Sequence, residues 1–170
     1  MKKTVTLTLL LMVISLASMA QRFAYVDTEY ILSRIPTFKA AQEKLDEIAK
    51  EYQTEIEEEY KKLDKMFQEF ENEKILLTEE MKKKKEDEII EREREVKELQ
   101  RRYFGREGML FKKREELIKP IQDQVANAVD EVANEGGFAI IFDTAGSANI
   151  LFTNPRYDKS DDVLQKLGYN

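Results

Sequence analysis

Carboxylates are the only reactive side chains this chain carries in quantity: 34 Asp and Glu, with neither histidine nor cysteine. Transition-metal cages and nucleophile–base pairs ordinarily need imidazole or thiolate, so the usual forms of both are excluded. Composition leaves open a carboxylate pair or a calcium site, but no acids stand at the spacing of a known loop. Acids on an exposed helix are ordinarily solvated. No glycine-rich phosphate loop is present. These absences predict no enzyme, no cofactor and no metal. One like-charge block stands out, Lys82-Lys83-Lys84-Lys85. It suits contact with anionic headgroups or with acidic loops. The plainer reading is a solvated helix face, partly neutralised by Glu79, Glu80, Glu86, Asp87 and Glu88.

The elements that must position such residues are mostly helical. Between Thr37 and Phe104 there is no glycine and no proline, and charged residues crowd nearly every turn. Such a run forms long helix rather than a compact core. Its outbound part, from about Thr37 to Glu73, places Phe38, Ala41, Leu45, Ile48, Tyr52, Ile56, Tyr60, Leu63, Phe67 and Phe70 at spacings of 3 and 4. This is a coiled-coil seam with one stutter between Tyr52 and Tyr60. Thr78, followed by Glu79 and Glu80, reads as an N-cap, which puts the hairpin tip near Leu77 and starts the return rod at Glu79. The return seam is Ile89, Val96, Leu99, Tyr103, Leu110, Leu117, Ile121, Val125, Ala128 and Val132. Gly105 and Gly108 fall inside it, either as hinges or as points of close packing between the rods. Pro120 should kink the helix if it is interior.

Charge supports pairing of the two rods. Residues 39–73 hold 6 basic and 12 acidic side chains, and residues 74–119 hold 15 basic and 12 acidic. Opposite balances suit an antiparallel pair, although each exposed pair contributes only a few tenths of a kcal/mol. The net charge of −6 is a poor footprint for nucleic acid.

Both ends of the chain read as a small α/β body. Arg22 to Asp27 alternates like a strand, and Thr28 to Arg34 reads as a brief helix. Gly136-Gly137 stops the return rod. Phe138 to Phe142 is a strand, Asp143 to Ser147 a turn, and Asn149 to Thr153 a further strand closed by Pro155. Ser160, followed by Asp161 and Asp162, reads as the N-cap of a helix through Leu167. Three or so short strands leave exposed edges, which predicts oligomerisation through the body. Residues 1–20 read as a cleaved secretory signal: a basic Met1-Lys2-Lys3, an apolar run from Val5 to Ala17 and a small-residue site at Ser18-Met19-Ala20. The expected organisation is therefore signal 1–20, body 21–36, arm 37–119 and body 120–170.

These segments resemble a known family, the periplasmic outer-membrane-protein chaperones of the Skp/OmpH type. The resemblance rests on Tyr25-Val26-Asp27-Thr28-Glu29-Tyr30-Ile31-Leu32 and on the proline-to-glycine helix from Lys119-Pro120-Ile121 to Glu135-Gly136-Gly137-Phe138. Ile140-Ile141-Phe142-Asp143, Ala148-Asn149-Ile150-Leu151-Phe152 and the ending Tyr157 to Leu167 extend it. It implies an α+β fold: a β-rich trimerisation body bearing long antiparallel helical hairpins, a jellyfish-like homotrimer around a cavity. It also implies a periplasmic holdase that keeps unfolded outer-membrane β-barrel proteins from aggregating without ATP. One departure is charge, since the best-known members are strongly basic.

On that reading the off-seam apolar residues of the arm, Met66, Ile75, Leu76, Leu77, Met81, Ile90 and Phe104, are candidates for client contact, with Phe70 beside them. Methionines and exposed aliphatics suit many partners because such a surface repacks around each. The bland alternative is that they broaden the seam or stand singly on the surface. Tyr25, Phe138, Ile140, Phe142, Ile150 and Phe152 read as body core and subunit interface. A different class of function, a structural coiled-coil spacer of the cell envelope, fits the long rods as well.

Overall fold

The computed structural model describes residues 22–146 and 150–169. The expected signal segment, Ser147 of the expected turn and Asn149 of the expected further strand lie outside them. The elements run β1 (Arg22–Val26), α1 (Thr28–Arg34), α2 (Pro36–Glu73), α3 (Glu79–Phe104), α4 (Met109–Gly136), β2 (Phe138–Asp143), a 3-10 turn (Pro155–Tyr157) and α5 (Ser160–Lys166). They divide into two compact units, one of Ile35–Gln124 and one built from the residues before and after it, with the division falling inside α4.

The 35–124 unit starts where the chain chemistry demands. Pro36 opens α2, and Ile35 before it is extended at φ −90° and ψ 112°, as a residue preceding proline prefers. With no breaker inside it, α2 runs 38 residues, about 57 Å at ~1.5 Å each. Thr78 caps α3 by accepting a hydrogen bond from the Met81 N–H at 3.3 Å, with Glu79 and Glu80 at the positive end of the helix dipole. Helices α2 and α3 are antiparallel, because Glu73, Glu59 and Glu55 meet Lys85, Arg92 and Tyr103 in that order. Ile56, Phe70 and Val96 are buried on these two helices.

The return rod is not one helix. It stops at Phe104 and restarts at Met109, so Gly105 and Gly108 belong to a turn and not to a helix interior. The reason is steric. A Cβ at Gly105 would lie 2.3 Å from the Arg101 carbonyl oxygen, and one at Gly108 would lie 2.7 Å from that of Tyr103. The close packing that these glycines permit is therefore against their own preceding turn. Pro120 is interior to α4. Ile118, just outside the expected seam, is buried, while its seam neighbour Leu117 is only half-buried.

In the other unit β1 and β2 form a two-stranded parallel sheet, with Phe23 opposite Ile140 and Tyr25 opposite Phe142. Gly137, at φ +60°, ends α4 in the left-handed conformation and lets β2 begin at once. A polar knot joins the element ends. Asp27 caps α1 through the Tyr30 N–H at 2.9 Å, and its own N–H donates to Ser160 Oγ at 2.9 Å. Thr28 Oγ1 donates to Asp143 at 2.7 Å. Ser160 is thus not the N-cap of α5. Lys159 holds that position without a side-chain capping bond, and the Ser160 hydroxyl instead links Asp27 to Asp158.

The expected strand through Ile150 to Thr153 is irregular. Beside β1 the flank opposite β2 is taken at Tyr25 by a bridge to Asp158, and the Lys159 N–H donates to the Tyr25 carbonyl at 2.9 Å. A strand needs a ladder partner, and residues 150–153 find none among the described residues.

Candidate functional site

The body sheet is two-faced. Ala24 and Val26 are buried on one side, whereas Phe23, Ile140 and Phe142 on the other are 44%, 47% and 49% exposed. Phe23 and Phe142 approach each other at 6.5 Å between ring centroids. Tyr25, Phe138, Phe142, Ile150 and Phe152 line one open cleft of about 890 Å³, together with Leu151 and Tyr157. Leu151 and Phe152 are 96% and 83% exposed. None of the six residues expected in the body core is buried; the core consists of residues such as Ala24, Val26, Ile31 and Val163. For Tyr25, Phe138, Ile140 and Phe142 the expectation of a core role is corrected by strand alternation, because successive side chains point to opposite faces, and Ile150 and Phe152 lie in the irregular stretch.

Along the arm the expected contact residues separate. Ile75, Leu76, Met81, Ile90 and Phe104 are exposed, and Met66 and Leu77 are half-buried. Phe70 is 4% exposed, with the Lys74 ammonium 5.3 Å from its ring centroid, and so it leaves the candidate surface. Tyr60 and Phe67, placed inside the seam by their spacing, are exposed. They line an apolar groove with Leu63, Ile89 and Ile90. Met109 and Phe111 are exposed apolar residues that the seam pattern did not single out. Further down the arm Tyr52 stacks on Tyr103 at 4.0 Å, and Phe104 meets Tyr52 edge-on.

The lysine block is largely paired. Lys82 meets Glu79 at 2.7 Å, Lys84 meets Glu88 at 4.0 Å, and Lys85 reaches across to Glu73. The hydrogen bond from Lys82 lowers the Glu79 pKa, and that to Glu73 raises the Lys85 pKa. Such pairing favours the solvated-face reading. Among the described residues, no group of three or more carboxylates is placed to hold a metal ion. No described helix is long and apolar enough to cross a membrane.

Residues 22–167 match the family described as outer membrane protein (OmpH-like). No curated protein matches the chain. Among solved structures, the chain is similar to an OmpH-like protein of Caulobacter crescentus CB15, assigned there as a candidate outer membrane chaperone. The TM-score is 0.67 at 12% identity, over 87% of this chain and 84% of that one. The likeness is one of fold, which in this chain is long helices with a small two-stranded sheet.

Proposed function

Because the chain belongs to the OmpH-like family of outer membrane proteins, we propose that it is a periplasmic, ATP-independent holdase. Its clients are unfolded outer-membrane β-barrel proteins, kept from aggregating before membrane insertion. The observation that carries this reading is the row of aliphatic side chains left open near the hairpin tip. Ile75, Leu76 and Met81 stand 92%, 85% and 50% exposed, and no metal-holding group of carboxylates stands among the described residues. A soluble surface ordinarily hides such groups or uses them.

The body assembles three copies through its open sheet face, and the arms surround a client between them. Each contact is weak, but several arms raise the effective concentration of the next contact. No energy source is needed for release, since insertion into the membrane is the better sink. Methionines and aliphatics tolerate varied sequences because they repack. In this reading the protein is not an enzyme.

Light scattering tests the proposal. A denatured outer-membrane barrel protein diluted into buffer should aggregate alone and stay clear with this protein at comparable molarity. Exchanging Ile75, Leu76 and Met81 for serine should leave folding within about 0.5 kcal/mol of wild type, as exposed substitutions do, while weakening suppression several-fold. Unabated aggregation with the wild-type protein, together with a fixed partner at tip or body, would establish a spacer instead.

A further inference from the structure

The cationic side chains are not treated alike. Between Glu98 and Arg114 the chain carries 6 basic and 2 acidic residues, on a protein whose total is −6. Lys113 is held by Glu116, but among the described residues the Arg106 and Arg114 guanidinium groups form neither an ion pair nor a hydrogen bond. Both stand at a cleft of about 600 Å³ within the 35–124 unit. Phe38 and Leu45 of α2 form one wall, and Phe104, Leu110 and Phe111 the other. Asp46 is the single acid among its lining residues. Unlike the lysine block near the tip, this place joins free positive charge to open apolar surface.

We propose that the cleft is a client subsite selective for acidic–aromatic stretches of an unfolded chain. This deepens the holdase reading and rests on it. A client aromatic or aliphatic side chain enters between Phe38 and Phe111, and a neighbouring Asp or Glu is held by Arg106 or Arg114. A guanidinium matches a carboxylate in a two-pronged hydrogen bond, a geometry that lysine lacks. Charge complementarity singles out this occupant: a basic stretch would meet two unpaired arginines, and a neutral one would leave them unused. The pair also supplies a local attraction that the acidic total conceals, and it is screened by salt.

Three labelled peptides of one Phe-rich framework test this by fluorescence anisotropy on the full chain, differing only in carrying Asp, Asn or Lys beside each Phe. The Asp peptide should bind tightest and the Lys peptide weakest, with the gap closing at high salt. The double exchange Arg106→Gln with Arg114→Gln should weaken the Asp peptide roughly fourfold to twenty-fivefold, about two- to fivefold per charge, and leave the Lys peptide unchanged or improved. Lys83→Gln, an exposed control at the other cluster, should change nothing. Phe111→Ser should weaken all three peptides.

Equal binding of the three, or indifference to the arginine exchange, overturns the subsite. A fall in oligomer mass on the arginine exchange does the same by giving the cleft to a second copy. So does tighter binding to vesicles of anionic phospholipid than to the Asp peptide. Aggregation suppression is scored on the same samples. Its persistence without peptide preference sinks only the subsite, and its absence in wild type sinks the holdase reading.

Discussion

The arm and the body deal with apolar surface in opposite ways. In the arm, α2 and α3 bury Ile56, Phe70 and Val96 on each other's account, with Glu59–Arg92, Glu73–Lys85 and Glu55–Tyr103 contacts along the pair. A hairpin supplies its own partner, so the seam closes within one chain. The body spends one sheet face on its helices and leaves the other, with Phe23, Ile140, Phe142, Leu151 and Phe152, open. A two-stranded sheet is marginal unless more strands or helices cover it. The difference teaches that arm stability is a property of one chain, whereas the body holds an apolar surplus that a single chain does not cover.

The largest expected effect tests the body. Ile140→Asp places a charge where assembly would bury it unpaired, at a cost of about 3–5 kcal/mol. Sedimentation should show the mass falling to that of a single chain, with the helical signal of the arm retained. An unchanged mass would remove the body face from the assembly.

Next in size is Ile56→Ala, a large-to-small change at a residue 3% exposed. It should destabilise the hairpin by about 2–5 kcal/mol, seen as a lower urea midpoint. The sedimented mass should not change, and dissociation here would break the contrast between the two regions.

The smallest effect concerns alkali. The Tyr103 hydroxyl donates to Glu55 at 2.7 Å, and this bond raises the phenol pKa above its ordinary 10.0. A raised folded value means that the contact contributes fully below the unfolded pKa and is lost as pH rises through the folded one. Tyrosinate absorbance should therefore show one phenol titrating later than the rest. Tyr103→Phe keeps the stack on Tyr52 and should abolish that late step, flattening the fall of melting temperature in the same range.

Breakers and caps made much of the fold readable. Pro36, Thr78 and Gly137 each act through their own backbone chemistry, and helix boundaries fall where they stand. Gly105 and Gly108 were harder, because spacing alone does not distinguish a tolerated interior glycine from a steric requirement of 2.3 Å against a neighbouring carbonyl. The stretch through Ile150 to Thr153 has strand composition, yet it finds no ladder partner among the described residues. Tyr60 and Phe67 keep the seam's spacing while standing exposed, since a narrow stripe meets its partner helix along one edge only. Arg106 and Arg114 give no sequence signal beyond local charge; what distinguishes them is that no acid among the described residues pairs with them.

By itself the sequence determined the outbound rod, the cap that starts the return, the hairpin tip and the absence of imidazole and thiol chemistry. Those features depend on interactions within a few residues, where spacing and backbone preference decide. Which sheet face is covered, which glycines are indispensable, where Ser160 spends its hydroxyl and which cations remain unpaired were decided only in three dimensions. Each depends on a neighbour distant in the chain or on the steric detail of a turn, and periodicity carries no record of either.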